Sequence, residues 1–303
     1  MAQNDQDFIN TVLTACHADI SGPEPSEPSR LFHLTDTDGI LGILDSKKLW
    51  ASLATSLNDC REIRYALDLA EEIIGACIEA RPSEYYSSLL TYLRDPSSAP
   101  PEVKAEVSAF VVAFCDKCDR SGQWLHYGRN GRGIAVGFSS NIAKAMRRDL
   151  VKVDCDVESQ KKRLSSLIDV GRAIVDKFPS DMADKLRISQ ARLTGHIVSL
   201  YVPMLAATMK HPSFSEEREW RLVGHQIVLN GKIQGKSGRD EIKYRRSNER
   251  LVPYEELSFA DVPNAISEVV VGYSAASTLD AIRVLLQDKG FDVPVRRSEV
   301  PVR

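Results

Sequence analysis

Apolar positions in the first twenty residues fall at helical spacing, with Phe8, Val12 and Ala15 or Cys16 on one side, and predict a short amphipathic helix. SGPEPSEPSR (residues 21–30) breaks it. Proline fixes φ and turns the residue before it away from helix, so this stretch reads as a linker. Leu31–Leu34 is an apolar run with one polar member, His33, and predicts a strand ending at Thr35 and Asp36. Thr37 or Asp38 can cap a helix whose apolar face is Ile40, Leu41, Ile43 and Leu44. Lys47 and Lys48 close it where the helix dipole favours cations. Leu49–Leu53 predicts a second strand. From about Cys60 to Ala80, the residues Ile63, Leu67, Ala70, Ile73, Ile74 and Cys77 repeat every three or four positions, a long helix with one buried face. Asp59 and Glu62 have capping-box spacing at its start. A helix over 84–94 follows, and Pro100 and Pro101 bound a further short one.

The pattern then changes. Val107–Cys115 is β-branched and aromatic, Gly133–Phe138 (GIAVGF) is apolar, and Leu150–Cys155 alternates, so each predicts a strand. Helical spacing returns from Val157 to Lys210, interrupted near Phe178-Pro179 and at Pro203, with a buried stripe of Leu186, Leu193, Ile197, Leu200 and Met204. Strands are expected at Arg218–Val223, Ile242–Arg246, Leu251–Tyr254, Glu268–Tyr273 and Val293–Arg297, with a helix at Leu279–Lys289. Strands and helices alternate irregularly. The expectation is an α+β fold: a mostly antiparallel central sheet with inserted helices. An N-terminal helix and linker (1–30) precede a single domain (31–303), whose helical insertions fall near 60–106 and 157–210.

Composition narrows the class. The 303 residues are 43% apolar and 27% charged with a formal net charge of -3, an ordinary globular balance with no global pull toward nucleic acid or anionic membrane. Acidic residues stand where a secretory leader would be basic and apolar, and no window reaches the roughly 18 apolar residues of a membrane span. The expected location is the cytoplasm, without membrane contact. Six scattered cysteines do not form a disulfide framework. Cys115 and Cys118 make a CxxC, but no second ligand pair accompanies it and no thioredoxin-like pattern surrounds it. No metal is expected.

Four places carry candidate chemistry. His33 is either a satisfied core histidine or part of a site at the polar strand end, together with Thr35. Asn58 stands beside the Asp59–Glu62 cap with either a turn role or a ligand contact open to it. GQWLHYGRNGRGIAVGF (122–138) sets Trp124, His126 and Tyr127 before a glycine-rich turn carrying Arg129 and Arg132. Asn130-Gly131 signals a turn, yet rings and guanidinium groups beside a flexible backbone also suit a flat, anionic ligand. In FSEEREWRLV (214–223), a strand would aim Glu217, Glu219 and Arg221 at one face and Trp220 and Leu222 at the other. Two carboxylates on one face need a cation between them, or water.

The ordered motifs LFHLTD, LWAS, LND, YG…GRGIAVGF, EWRLV, LVPY and VPVR resemble a bacterial domain-of-unknown-function family over roughly Leu31–Arg303. That family in turn looks distantly similar to ADP-ribosyltransferases of the His–Tyr–Glu type. The second resemblance implies an ADP-ribosyltransferase-like fold with NAD as substrate. It implies that His33 holds the adenosine-side ribose, that Tyr127 or Trp124 stacks on nicotinamide, and that Glu219 steadies the nicotinamide ribose, with Glu217 as a second acid. Arg129, Arg132 or Arg221 would meet the diphosphate, and Ser52 of LWAS joins the binding positions. The expected Tyr–x10–Tyr or Ser-Thr-Ser element has only a partial echo in Ala54-Thr55-Ser56. The implied function is an NAD-consuming enzyme, a transferase onto protein or nucleic acid or a glycohydrolase, of the kind found in toxins and phage defence. Two rivals stand beside it. One is a non-catalytic nucleotide- or protein-binding sensor module of a defence system. The other is a metal-dependent phosphoesterase or nuclease using Asp59, Glu62 and Glu217 or Glu219.

Overall fold

The strand over Ala105–Cys115 is the axis of the fold, because it carries neighbours along both of its edges. The computed structural model describes residues 3–20, 28–56, 61–98, 105–229, 232–234, 241–247 and 249–301. In chain order the elements are α1 (Gln3–Ile20), β1 (Arg30–Thr35), α2 (Thr37–Ser46), β2 (Lys48–Leu53), α3 (Arg61–Ala80), α4 (Glu84–Arg94) and β3 (Ala105–Cys115). Next come α5 (Ser121–His126), β4 (Ile134–Ser139), α6 (Ile142–Met146), β5 (Asp149–Lys152), α7 (Val157–Val175) and α8 (Asp184–Ala206). The rest are β6 (Glu219–Leu229), β7 (Lys232–Gln234), β8 (Lys243–Ser247), β9 (Arg250–Ser258), β10 (Ile266–Val271), α9 (Leu279–Asp288) and β11 (Val295–Arg297).

Among the described residues these strands form one sheet, antiparallel except where β11 lies parallel to β10. The fold is therefore α+β with a mostly antiparallel centre. One edge of β3 pairs with β6 along its whole length, from Ala105↔Leu229 to Cys115↔Glu219. The other edge is forked. β1 touches β3 only at Phe32↔Cys115 and leads into a wing of β4, β10 and β11. β2 pairs with β3 at Ser52↔Val111 and Leu53↔Phe110 and leads into a second wing of β9 and β8. Between these contacts, residues 112–114 of β3 lie in the opening of the fork.

Helices cover both faces. On one, α1, α3, α4, α7 and α8 bury Ile9, Val12, Ile74, Tyr85, Leu164 and Val202 together with Val111 and Val223 of the sheet. The two helical insertions and the N-terminal helix thus make one layer. Tyr85 donates to the Ile168 carbonyl at 2.7 Å and Tyr201 to the Leu13 carbonyl at 3.1 Å, so α4 and α8 are tied to α7 and α1. On the opposite face α2, α6 and α9 cover Leu31, Val136, Phe138, Leu222 and Trp220. A smaller cluster joins Trp124 to Phe32, Cys115, Cys118, Ala135 and Val270. No helix among the described residues is long and apolar enough to cross a membrane.

Several expectations are corrected. The cap of α2 is Asp36, whose side chain accepts from Gly39 N, rather than Thr37 or Asp38. Pro203 lies inside α8, in its last turn, instead of interrupting it; its missing N–H removes one helical hydrogen bond and the helix ends three residues later. The region after Cys118 holds α5, and the segment after β4 holds α6; both are too short to show a helical period. The segment bounded by Pro100 and Pro101 and the Asp59 cap lie outside the described residues.

Candidate functional site

A cleft of about 120 Å³ opens at the fork. Its walls are Phe32, His33 and Leu34 of β1, Ala113, Phe114 and Cys115 of β3, Gln123 and Tyr127 at α5, and Glu217 and Glu219 at the start of β6. Where β1 leaves β3, His33 Nδ1 reaches the Ala113 carbonyl at 3.0 Å. A carbonyl can only accept, so Nδ1 carries the proton, and in the neutral ring Nε2 is left as an acceptor. Burial pushes the imidazole basicity down, the Ala113 bond works against that, and the charge of Arg245 adds to it; the net direction is downward. His33 also meets the edge of Phe114, with ring centroids 5.9 Å apart.

The opposite wall is a charge cluster. Glu217 belongs to a 3-10 turn (Pro212–Glu217) and Glu219 opens β6, with Arg218 between them in the left-handed region at φ 49°. The expectation of one continuous strand is thereby corrected. The two acids meet instead through Lys210, whose Nζ lies 2.5 Å from Glu217 Oε2 and 2.8 Å from Glu219 Oε2. Arg221 adds a two-pronged contact to Glu219, with Nε at 2.7 Å and Nη2 at 3.1 Å. Tyr127 donates its hydroxyl to Glu217 Oε1 at 2.8 Å, and Gln123 Nε2 donates to the Glu217 carbonyl at 2.6 Å. Burial drives the Glu219 carboxyl upward, but Arg221 and Lys210 together outweigh it and hold the group below the usual carboxylate range. Burial and the neighbouring carboxylates push the Tyr127 phenol up, so it stays a donor.

Lys210 is the residue that sequence reasoning passed over. It sits at the end of an apolar helical run, in a position that resembles any exposed terminal lysine. Its backbone N–H donates to the Asp154 carbonyl at 2.9 Å, and its carbonyl accepts from Gln160 Nε2 at 2.7 Å. Helix α7 therefore presents it to the acids. Only the three-dimensional path of the chain contains that information.

Other expected site residues are placed elsewhere. Trp124 is fully buried in its own apolar cluster and donates Nε1 to Asp119 Oδ1 at 3.0 Å, so it offers no stacking face. Arg221 is 1% exposed and spends its guanidinium on Glu219 and the Ala207 carbonyl, so it cannot receive a diphosphate. Arg129 is exposed and pairs with Asp36 at 2.7 Å, and Arg132 is exposed on the same turn; neither lines the cleft. Thr35 is half-buried at the end of β1, outside the cleft lining. Ser52 is buried on β2, where its Oγ accepts from Arg245 Nη2 at 3.1 Å. Asn58 lies outside the described residues. Cys115 and Cys118 are buried free thiols, the second pushed up to about 12 chiefly by burial. Among the described residues no group of three His, Cys, Asp or Glu side chains is placed to hold a metal ion.

Residues 123–222 match the family described as Protein of unknown function (DUF2971). No curated protein and no solved structure matches the chain. The matched third of the chain runs from the start of the cleft wall at Gln123 to Leu222 of β6. It contains Tyr127, Lys210, Glu217, Glu219 and Arg221, and leaves His33, Ser52 and Arg245 outside.

Proposed function

We propose that the cleft takes the nicotinamide end of an NAD-type dinucleotide and that the chain breaks its N-glycosidic bond, as an ADP-ribosyltransferase or an NAD glycohydrolase. The observation that carries this reading is convergence. His33, Tyr127, Glu217 and Glu219 come from distant parts of the chain and line one cleft. The cleft volume of about 120 Å³ is of the same order as the roughly 150 Å³ cavity that accepts one aromatic ring. Phe32, Leu34 and Phe114 supply the apolar surround.

The chemistry follows from the charges. Cleavage passes through an oxocarbenium-like ribose, and a nearby carboxylate stabilises it. Water or an acceptor hydroxyl bonds to C1′ as the bond from C1′ to the ring nitrogen breaks. The electron pair of that bond stays on the nitrogen, which turns the cationic ring into neutral nicotinamide. The proton of the attacking group passes to Glu217, the more open of the two acids at 16% side-chain exposure against 10% for Glu219. His33 Nε2 accepts a ribose hydroxyl. Such an activity would deplete NAD or modify a macromolecule in the cytoplasm, the action of a toxin or phage-defence effector.

The test is chromatographic detection of nicotinamide after incubation of the purified chain with NAD. Release is expected, and Glu217→Gln and Glu219→Gln should each lower it by about 10²–10³-fold. Neither release nor binding of NAD would overturn the reading. One observation favours the second reading, a binding module without chemistry: Lys210, Arg221 and Tyr127 already satisfy the two carboxylates. In that case Glu219→Gln leaves the biological effect intact.

A further inference from the structure

Arg245 reaches the fork from the wing opposite His33. It stands on β8, paired with Val252 of β9, and its Nη2 donates to Ser52 Oγ at 3.1 Å. Ser52 pairs with Val111 of β3, and Ala113, two residues further along the same face, lines the cleft. Two strand residues span about 7 Å. The charge of Arg245 is also felt by the His33 imidazole. Among the described residues Arg245 has no carboxylate partner, and its Nε is shut off from solvent without an acceptor. The other arginines near the site are committed: Arg221 to Glu219, Arg218 to Asp116 and Arg129 to Asp36. A half-buried guanidinium whose only side-chain partner among the described residues is a neutral hydroxyl keeps its charge available to an anion, and its planar fork matches phosphate oxygens.

We infer that Arg245 and Ser52 form a phosphate-binding subsite beside the cleft, placed to take the phosphate that follows the ribose of a bound nucleotide. Arg245 supplies charge and paired N–H donors, and Ser52, already accepting from Arg245, has its own hydroxyl proton to give. The matched acids and bases at Glu217, Glu219, Lys210 and Arg221 leave the opposite wall near neutrality, so the anionic group is drawn to the Arg245 side.

The inference rests on the nicotinamide-nucleotide reading, and calorimetric titration with three probes separates the two. Nicotinamide riboside, nicotinamide mononucleotide and inorganic pyrophosphate are compared on the wild-type chain and on Arg245→Met, Arg245→Lys and Ser52→Ala, each checked for folding by circular dichroism. The wild type is expected to prefer mononucleotide over riboside by roughly tenfold or more. Arg245→Met removes that preference, Arg245→Lys keeps part of it, Ser52→Ala weakens mononucleotide several-fold, and the riboside affinity stays constant. Equal wild-type affinity for riboside and mononucleotide, or an Arg245→Met chain unchanged for both, overturns the subsite and leaves the nicotinamide reading standing. Pyrophosphate bound by wild type and lost in Arg245→Met, with neither nicotinamide compound bound, upholds the subsite and overturns that reading. Binding of none of the three overturns both. Should Arg245→Met fail to fold, Arg245→Lys and Ser52→Ala decide by the same comparison.

Discussion

Lys210 holds two carboxylates within 2.8 Å of one ammonium group, and its side chain is 3% exposed. Removing one partner from a buried ion cluster strands the others. Lys210→Met should therefore cost about 3–5 kcal/mol, read as a lower urea midpoint with an unchanged slope. The pH dependence has a definite sign. Glu219 lies below its ordinary value of 4.5 in the folded chain. Its contribution is fully present above that value and is lost as the pH falls through the depressed folded one. Unfolding free energy measured from pH 7 down to 3 should fall in that window, and less steeply in Glu219→Gln. His33 behaves in the same direction for a different reason. Burial disfavours its charged form, so the ring should stay neutral as the pH drops below 6.5, and NMR titration should place its midpoint lower. A midpoint at or above 6.5 would contradict the burial of the ring and the nearby charge of Arg245.

At the scale of elements, the fork depends on a small residue and a tight turn. Ala113 is exposed in the middle of the central strand, where neither β1 nor β2 pairs with it. Ala113→Leu should fill the opening, change stability by no more than about 1 kcal/mol, and abolish ligand binding in the titration; undiminished binding would place the ligand elsewhere. The turn from Gly128 to Gly133 sets α5 against the end of β1. Arg129, Asn130 and Gly131 all have positive φ, and a Cβ on Gly131 would run into the Tyr273 ring. Gly131→Ala should destabilise by about 1–3 kcal/mol, measured by chemical unfolding. The same turn bonds Gly131 N to the Trp124 carbonyl and Gly133 N to the Gly128 carbonyl, which explains how Tyr127 is held toward Glu217.

For the whole molecule, the helical layer and the sheet share one core. Ile9 and Val12 of α1 are buried with Tyr85 of α4, Leu164 of α7 and Val223 of β6. Ile9→Ala is expected to cost about 2–5 kcal/mol, with far-UV dichroism and tryptophan fluorescence still reporting one coincident transition. A loss under 0.5 kcal/mol, within the range of surface substitutions, would mean that α1 does not share the core. The same layer holds the Lys210 backbone through Asp154 and Gln160, which fixes its ammonium group beside the acids.

Hydrophobic periodicity by itself determined most of the elements. α3, α4 and α9 run close to their expected spans, and β1, β2 and β4 differ by a residue or two at their ends, because a buried face imposes a period that the chain must display. His33, Tyr127 and the two acids were legible as candidates because polar groups beside apolar runs are conspicuous. Their meeting was decided only by tertiary structure. The fork arises because β1 and β2 share one edge of β3 without meeting, and strand pairing across such distances leaves no local trace. The same cause hid Lys210 and Arg245, whose neighbours in sequence are ordinary helix-end and edge-strand residues. Trp124 and Arg221 erred in the opposite sense: both looked like ligand contacts, and both are consumed by burial and by bonds to Asp119, Glu219 and Ala207. A residue's chemistry can be read from its letter, but whether that chemistry remains available depends on what the fold sets against it.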